Sequence, residues 1–165
     1  KIPEQSIKGI NWTDFIIKYK NEMKDEFFCG YWCHLMQNAI WFHDIVNPYI
    51  RIYPKEIKKD CYQKVYRDYE RLNYLLPKQY GIDDLSIHNV HIANAEVKEQ
   101  NFDTKICDFQ SQFYAHKCEK GELEILQWDI ICEYISKCVE FCVKEIIALR
   151  SGNERTESSD FYVSI

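Results

Sequence analysis

The sequence predicts an all-α fold, a disulfide-stapled bundle of about four helices arranged in two hairpins. Apolar residues recur at spacings of three and four over long stretches, which is the period of a helix with one buried face. Glycine and proline are scarce, with 5 and 4 in 165 residues, whereas an all-β chain needs many tight turns. Hydrophobic residues make up 46% of the chain and aromatic residues 15%, which is enough to bury a core.

The first helix is predicted over residues 12–46, where apolar side chains recur every three or four positions. Asn11 or Thr13 can cap its start, and the Asn47-Pro48 pair is expected to end it. Gly30 lies in the middle and is expected to kink this helix.

The second helix is predicted over residues 55–76, between Pro54 and Pro77. Its apolar stripe has the most regular spacing in the chain, with intervals of four, four, four, three and four. The stripe consists of Ile57, Cys61, Val65, Tyr69, Leu72 and Leu76.

The remaining elements are predicted from turn and stop signals. Residues 77–101 show no sustained period and are expected to form a turn and an extended crossover. Asp103 is expected to cap a third helix that ends before a turn at Lys120-Gly121. A fourth helix over residues 122–150 is expected to stop at Ser151-Gly152.

A chain of this length fits one domain. We expect a single disulfide-linked helical domain over residues 1–150 and a polar, flexible tail over residues 151–165. The net charge is −5, and acidic and basic residues are interspersed along the chain. This distribution gives no basic surface for nucleic acid. No run approaches the ~18 apolar residues of a membrane span, so we expect no membrane insertion.

The eight cysteines predict disulfide bonds and hence an oxidising compartment. A zinc site or free cytosolic thiols are the alternatives. The chain starts at Lys1 without an initiator Met, as expected for a mature secreted, extracellular protein. Three cysteines precede Pro77 and five follow it, so complete pairing requires an odd number of bridges between the two parts. The disulfide candidates are Cys29, Cys33, Cys61, Cys107, Cys118, Cys132, Cys138 and Cys142.

Helix geometry narrows the pairing, because cysteines four residues apart share a face and bond outward to another helix. An antiparallel first and fourth helix would place Cys29 opposite Cys142 and Cys33 opposite Cys138. Cys107 and Cys132 lie about equally far from the predicted turn at Lys120-Gly121 and can face each other, which leaves Cys61 to pair with Cys118.

No catalytic set of residues stands out. The His43-Asp44 pair is similar to that of secreted phospholipases, but their Cys-Cys-x-x-His-Asp run and glycine-rich calcium loop are absent. A cysteine nucleophile could use His34, His43 or His116 as its base. However, no cysteine has sequence neighbours that mark it as the reactive thiol. We therefore expect no enzymatic activity, no catalytic residue and no cofactor.

The sequence contains residues that can bind a metal ion, but they do not have the spacing of structural zinc loops. The two relevant stretches are Cys29-x3-Cys33-His34 and His88-x2-His91. We therefore expect no metal site.

The tyrosine content exceeds what a helical core usually requires. Tyr62 and Tyr66 lie off the apolar stripe of the second helix and are predicted to form an interface, since tyrosine often carries binding energy. The alternative explanation for the high tyrosine content is a biased genome composition. Asn11-Trp12-Thr13 is a glycosylation sequon, which makes Asn11 a candidate for modification in a secreted chain.

Two stretches share a Cys-Tyr-Cys pattern: Cys29, Tyr31 and Cys33 in the first, and Cys132, Tyr134 and Cys138, with a wider spacing, in the second. With its helical character, the chain resembles the bicycle proteins, which are effectors of gall-forming aphids. The resemblance implies secretion from an insect salivary gland, binding to an unidentified host plant protein, and altered host development. It implies no enzymatic activity.

Two other functions fit the same size and cysteine content. One is a four-helix, cytokine-like receptor ligand, and the other is a carrier of a small apolar ligand. The sequence leaves the oligomeric state open.

Overall fold

The computed structural model describes residues 7–84, 102–114 and 121–164. These residues are mostly helical, as predicted. The α-helices are α1 (Trp12–Lys18), α2 (Glu26–Trp41), α3 (Lys58–Tyr80), α4 (Phe102–Tyr114) and α5 (Trp128–Ser151). A π-helix (Phe42–Ile50) continues α2, and a 3₁₀ turn (Ser158–Phe161) follows α5. Two short antiparallel strands, β1 (Ile7–Lys8) and β2 (Val163–Ser164), join the ends of the described chain.

The chain divides into two compact units, whereas the sequence predicts one domain over residues 1–150. The first unit contains residues 1–61 and 126–165, and the second contains residues 62–125.

The predicted helix over residues 12–46 is interrupted. Turns separate α1 from α2, and Asp25 caps α2 by accepting a 2.7 Å hydrogen bond from the backbone N–H of Phe27. Asn11 caps α1, as predicted, through its bond from the N–H of Asp14. Gly30 lies inside the continuous helix α2, and the interruption falls before it, between Lys18 and Glu26.

The predicted stop at Asn47-Pro48 is wrong, because the π-helix includes Pro48 and continues to Ile50. The backbone N–H of Arg51 bonds to the carbonyl of Val46, five residues earlier. This wider hydrogen-bonding pattern carries the chain beyond the proline.

Helix α3 also continues past its predicted end at Pro77 and stops at Tyr80. Gly81 follows with φ of +63°, a left-handed conformation that favours glycine. The N–H of Ile82 then bonds to the Pro77 carbonyl at 2.8 Å. A left-handed glycine, and not the proline, therefore ends this helix.

Helices α4 and α5 lie close to their predicted positions. Helix α4 begins at Phe102, one residue before its predicted cap at Asp103. Helix α5 begins at Trp128, six residues later than predicted, and ends as predicted at Gly152, where φ is +68°. Residues 85–101 and 115–120, which include much of the predicted crossover and part of the predicted turn, lie outside the described residues.

The core of the first unit is built from large apolar side chains on α1, α2 and the π-helix. The ring of Trp12 meets Phe141 of α5 and Phe161 edge-on, with centroids 6.1 and 5.3 Å apart. The largest fully buried apolar side chains of this unit are Trp12, Trp32, Met36, Ile40, Ile45 and Ile50.

The residues that follow α5 are packed, whereas the sequence favours a flexible tail. Ser158 and Val163 are buried. The hydroxyl of Thr13 lies 3.1 Å from that of Ser158, and Thr156 bonds to Glu145 of α5. A few apolar side chains and hydroxyl groups therefore fasten a segment that is polar overall.

A buried acid organises the second unit. Asp68 of α3 is fully buried and accepts hydrogen bonds from the backbone N–H groups of Glu124 and Ile125, at 2.9 and 2.8 Å. Arg71 pairs with Asp68 at 3.1 Å and donates to the carbonyl of Glu122 at 2.8 Å. These contacts hold residues 122–125 in an irregular segment, which explains why the predicted helix start at Glu122 is wrong.

Candidate functional site

The predicted interface tyrosines lie on the exposed side of α3, in the second unit. Tyr62 is 42% exposed and Tyr66 is 66% exposed, whereas Cys61 and Val65 are each 3% exposed. The prediction that these tyrosines lie nearer the surface than the stripe is confirmed for Cys61 and Val65. Ile57, which precedes the helix, is 48% exposed, so the prediction holds there for Tyr66 and is wrong for Tyr62.

The two tyrosines are one helical turn apart, so their rings leave α3 on the same side. The ring of Tyr66 also meets that of Tyr69 edge-on, with centroids 6.0 Å apart. Tyrosine offers a rigid apolar ring and a hydroxyl group, a combination suited to a protein interface. We call Tyr62, Tyr66 and Tyr69 the tyrosine face.

The tyrosines of the two Cys-Tyr-Cys stretches have different roles in the first unit. The hydroxyl of Tyr134 donates a 3.2 Å hydrogen bond to the Gln37 carbonyl, and its ring packs on Trp41. Burial raises the pKa of Tyr134. Tyr31 is 46% exposed and lies beside Phe15, with centroids 5.2 Å apart. Tyr134 therefore joins α2 to α5, while Tyr31 belongs to the surface.

Three thiols meet where α2 packs against α5. The thiol of Cys142 donates to the backbone carbonyl of Cys33 at 3.9 Å, and the thiols of Cys142 and Cys29 both interact with that of Cys33. The helices are antiparallel, as predicted, but the contacts are shifted by one turn: Cys33 faces Cys142 and not Cys138. The side chain of Cys138 interacts with Tyr134 instead.

The three neighbouring thiols differ in their pKa values. Interactions with the thiols of Cys142 and Cys29 lower the pKa of Cys33 to about 7. The interaction with Cys33 raises the pKa of Cys142, and burial of the Cys142 thiol raises it further. Burial also raises the pKa of Cys29. Cys33 is therefore the thiol of this cluster that ionises most readily.

The predicted disulfide staple is not confirmed, since no two described cysteines lie at disulfide distance. Of the remaining candidates, Cys61 is buried, Cys107 is exposed and Cys132 is partly buried. Cys118 lies outside the described residues, so its predicted bond with Cys61 stays a prediction.

A charged cleft of about 500 Å³ lies between the π-helix and α5. Asp44 is its central acid, with His43 Nδ1 and Lys137 Nζ each 2.6 Å from its carboxylate oxygens. Burial acts to raise the pKa of Asp44, but the bonds from Lys137 and His43 outweigh it and hold the pKa low. The cleft is lined by His43, Asp44, Ile45, Asn47, Pro48, Tyr49, Ile130, Glu133, Tyr134 and Lys137.

The sequence pointed to His43 and Asp44 but not to Lys137, which lies 93 residues from Asp44 along the chain. Only the antiparallel pairing of α2 and α5 brings these charges together. The residues that line the cleft include no serine, threonine or cysteine, so the arrangement offers charge and hydrogen bonds to a ligand.

The other candidate positions carry local structural contacts. His34 Nε2 lies 2.9 Å from Asn38 Nδ2, and within the described ranges no group of three or more His, Cys, Asp or Glu residues could hold a metal ion. His88, His91 and His116 lie outside those ranges. Asn11 is exposed but uses its side chain to cap α1, and its glycosylation stays a prediction.

In the part of the chain that the structure describes, no helix has the length and apolar character needed to cross a bilayer. Comparisons with family models, with curated proteins and with solved structures give no match to this chain.

Proposed function

We propose that this protein is a secreted, non-enzymatic effector that binds a host plant protein through the tyrosine face of α3 and so alters host development. The exposure of Tyr62 and Tyr66 is the observation that carries the proposed binding role. The resemblance of the two Cys-Tyr-Cys stretches to those of bicycle proteins supports secretion and a plant host.

The way α3 is held also supports binding at this face. Cys61, Val65 and Leu72 are buried on the other side of the helix, and Asp68 ties it to residues 124–125. The tyrosines therefore project from a helix whose position is maintained by other side chains. An anchored helix loses little conformational entropy when a partner binds its exposed side.

The alternative of an apolar-ligand carrier has less support. Such a carrier needs an enclosed apolar pocket, whereas the cleft beside α5 contains Asp44, Glu133 and Lys137. The cytokine-like alternative also acts by binding, and the identity of the captured partner distinguishes it from an effector.

A binding experiment with matched variants tests the proposal. The full chain would be used to capture partners from plant tissue extract, and the dissociation constant for each purified candidate would then be measured. Truncating one hot-spot tyrosine costs about 2 kcal/mol of binding free energy, or about thirtyfold in affinity. The double variant Tyr62→Ala/Tyr66→Ala should therefore weaken binding by about thirtyfold or more.

Tyr74→Ala is the control, because Tyr74 lies on the same helix, is 40% exposed and lies about two helical turns beyond Tyr66. It should leave affinity unchanged. Equal affinity of the double variant and the wild type for every plant partner would contradict the proposal. A melting temperature lowered by the double substitution would show that the rings stabilise the fold.

A further inference from the structure

We propose that Cys33 and Cys142 form a redox-active pair, which exchanges with a low-molecular-weight disulfide such as glutathione disulfide and thereby links α2 to α5 reversibly. This site goes beyond the binding role of α3, since it lies in the other unit of the chain.

The two side chains already meet across the helix interface. Cys142 is 6% exposed, and its thiol lies 3.9 Å from the Cys33 carbonyl oxygen. A disulfide requires the sulfur atoms to approach to about 2.05 Å. Because the Cys142 sulfur already contacts the backbone of Cys33, side-chain rotation can supply this approach.

Cys33 is the entry point for the reagent. Its side chain is partly exposed, unlike that of Cys142. Interactions with the neighbouring thiols of Cys142 and Cys29 also lower the pKa of Cys33, which favours the thiolate that attacks disulfides. A partly exposed thiolate beside a buried second thiol is the arrangement that disulfide exchange needs.

Cys29 is close to Cys33 but is a poor partner for it. Side chains four residues apart on one helix have Cβ atoms about 5–6 Å apart, whereas a disulfide needs about 3.5–4.5 Å. A bond between Cys29 and Cys33 would therefore distort α2. Cys142 approaches from another helix and is not limited in this way.

The reaction has two exchange steps. The Cys33 thiolate attacks one sulfur of glutathione disulfide, so a mixed disulfide forms and one glutathione leaves as a thiolate, which takes up a proton. Cys142 then gives up its proton, and its sulfur attacks the Cys33 sulfur and releases the second glutathione. Two protein thiols are oxidised, and one glutathione disulfide is reduced to two glutathione molecules.

Peptide mapping of the full chain tests the pairing. The protein would be reduced, desalted, incubated with glutathione disulfide, blocked with N-ethylmaleimide and digested. We expect a peptide that links Cys33 to Cys142, formed equally in Cys29→Ser and in the control Cys107→Ser. Alkylation of reduced Cys33 by iodoacetamide should rise with pH to half its maximum near pH 7, in line with its pKa of about 7.

The peptide map of the wild-type chain identifies the disulfide partner of Cys33 directly. The test therefore does not depend on whether Cys33→Ser or Cys142→Ser folds. Recovery of Cys29 linked to Cys142, or of Cys33 linked to Cys138, would overturn the proposal. So would a Cys33 that stays fully reactive toward maleimide after incubation with glutathione disulfide.

Discussion

Glu145 of α5 holds Thr156 by two hydrogen bonds. Its Oε1 accepts from the Thr156 hydroxyl at 2.6 Å, and its Oε2 accepts from the Thr156 backbone N–H at 3.1 Å. Glu145 is only 1% exposed, so these bonds satisfy a buried acid. The indole N–H of Trp12 donates to the Thr156 carbonyl as well, at 3.4 Å. The segment after α5 is thus fastened to both α5 and α1 at one residue.

Thr156→Val should destabilise the first unit. The change removes the hydroxyl donor and leaves a buried carboxylate oxygen unsatisfied, at a cost of about 1–3 kcal/mol in the free energy of unfolding. Urea denaturation followed by circular dichroism would measure it. Thr104→Val makes the same change at an exposed position of α4 and should shift stability by less than about 0.5 kcal/mol. Equal effects of the two changes would show that the Glu145 contact is unimportant.

The two motif tyrosines should respond differently to loss of their hydroxyl groups. Tyr134→Phe removes the bond to the Gln37 carbonyl and should lower the free energy of unfolding by about 1 kcal/mol. Tyr31→Phe should leave it nearly unchanged, because the Tyr31 side chain is 46% exposed. Thermal denaturation of both variants would test this difference, and a larger effect at Tyr31 would contradict the assigned roles.

Two glycine substitutions should change stability in opposite directions. Beyond the backbone of its own helix and its two chain neighbours, no atom lies within 4 Å of the position that a Cβ would take at Gly30, and alanine is favoured over glycine inside a helix by about 0.5–1 kcal/mol. Gly30→Ala should therefore stabilise the protein. Gly152→Ala should destabilise it by about 1 kcal/mol, because φ is +68° there. Melting temperatures would report both changes, and a destabilising Gly30→Ala would support the kink that the sequence predicts.

Acid should weaken the ion pairs of the second unit. Hydrogen bonds from Arg67 and Arg71 lower the pKa of Glu124 to about 2, below the ordinary value of about 4.3. A carboxylate with a depressed pKa in the folded state stabilises fully above its unfolded pKa and loses that effect as the pH falls toward the folded value.

The difference in stability between wild type and Glu124→Gln should therefore be largest above about pH 5 and vanish near pH 2. Urea denaturation across this range would measure the difference. Glu140→Gln, at an exposed position of α5, serves as the control and should show a smaller pH dependence. A difference that grows as the pH falls would be opposite to this expectation.

Local signals in the sequence were sufficient for much of the fold. The apolar period of residues 55–76 predicted most of α3, and Gly152 marked the end of α5 because a left-handed residue follows many helices. Asn11 was a predictable cap for α1, since its side chain reaches an N–H group three residues away. Tyr62 and Tyr66 were predicted to be exposed because they lie off the stripe that contains Cys61 and Val65.

Contacts between distant residues decided the rest. Residues at i and i+4 share a helix face, so the sequence alone could not choose between Cys33 opposite Cys138 and Cys33 opposite Cys142, which differ by one turn. The later start of α5 depends on Asp68, which accepts N–H bonds from Glu124 and Ile125. Local periodicity thus determined which segments are helical, whereas the register, the helix boundaries and the clustering of thiols and charges depended on groups that only the folded chain brings together.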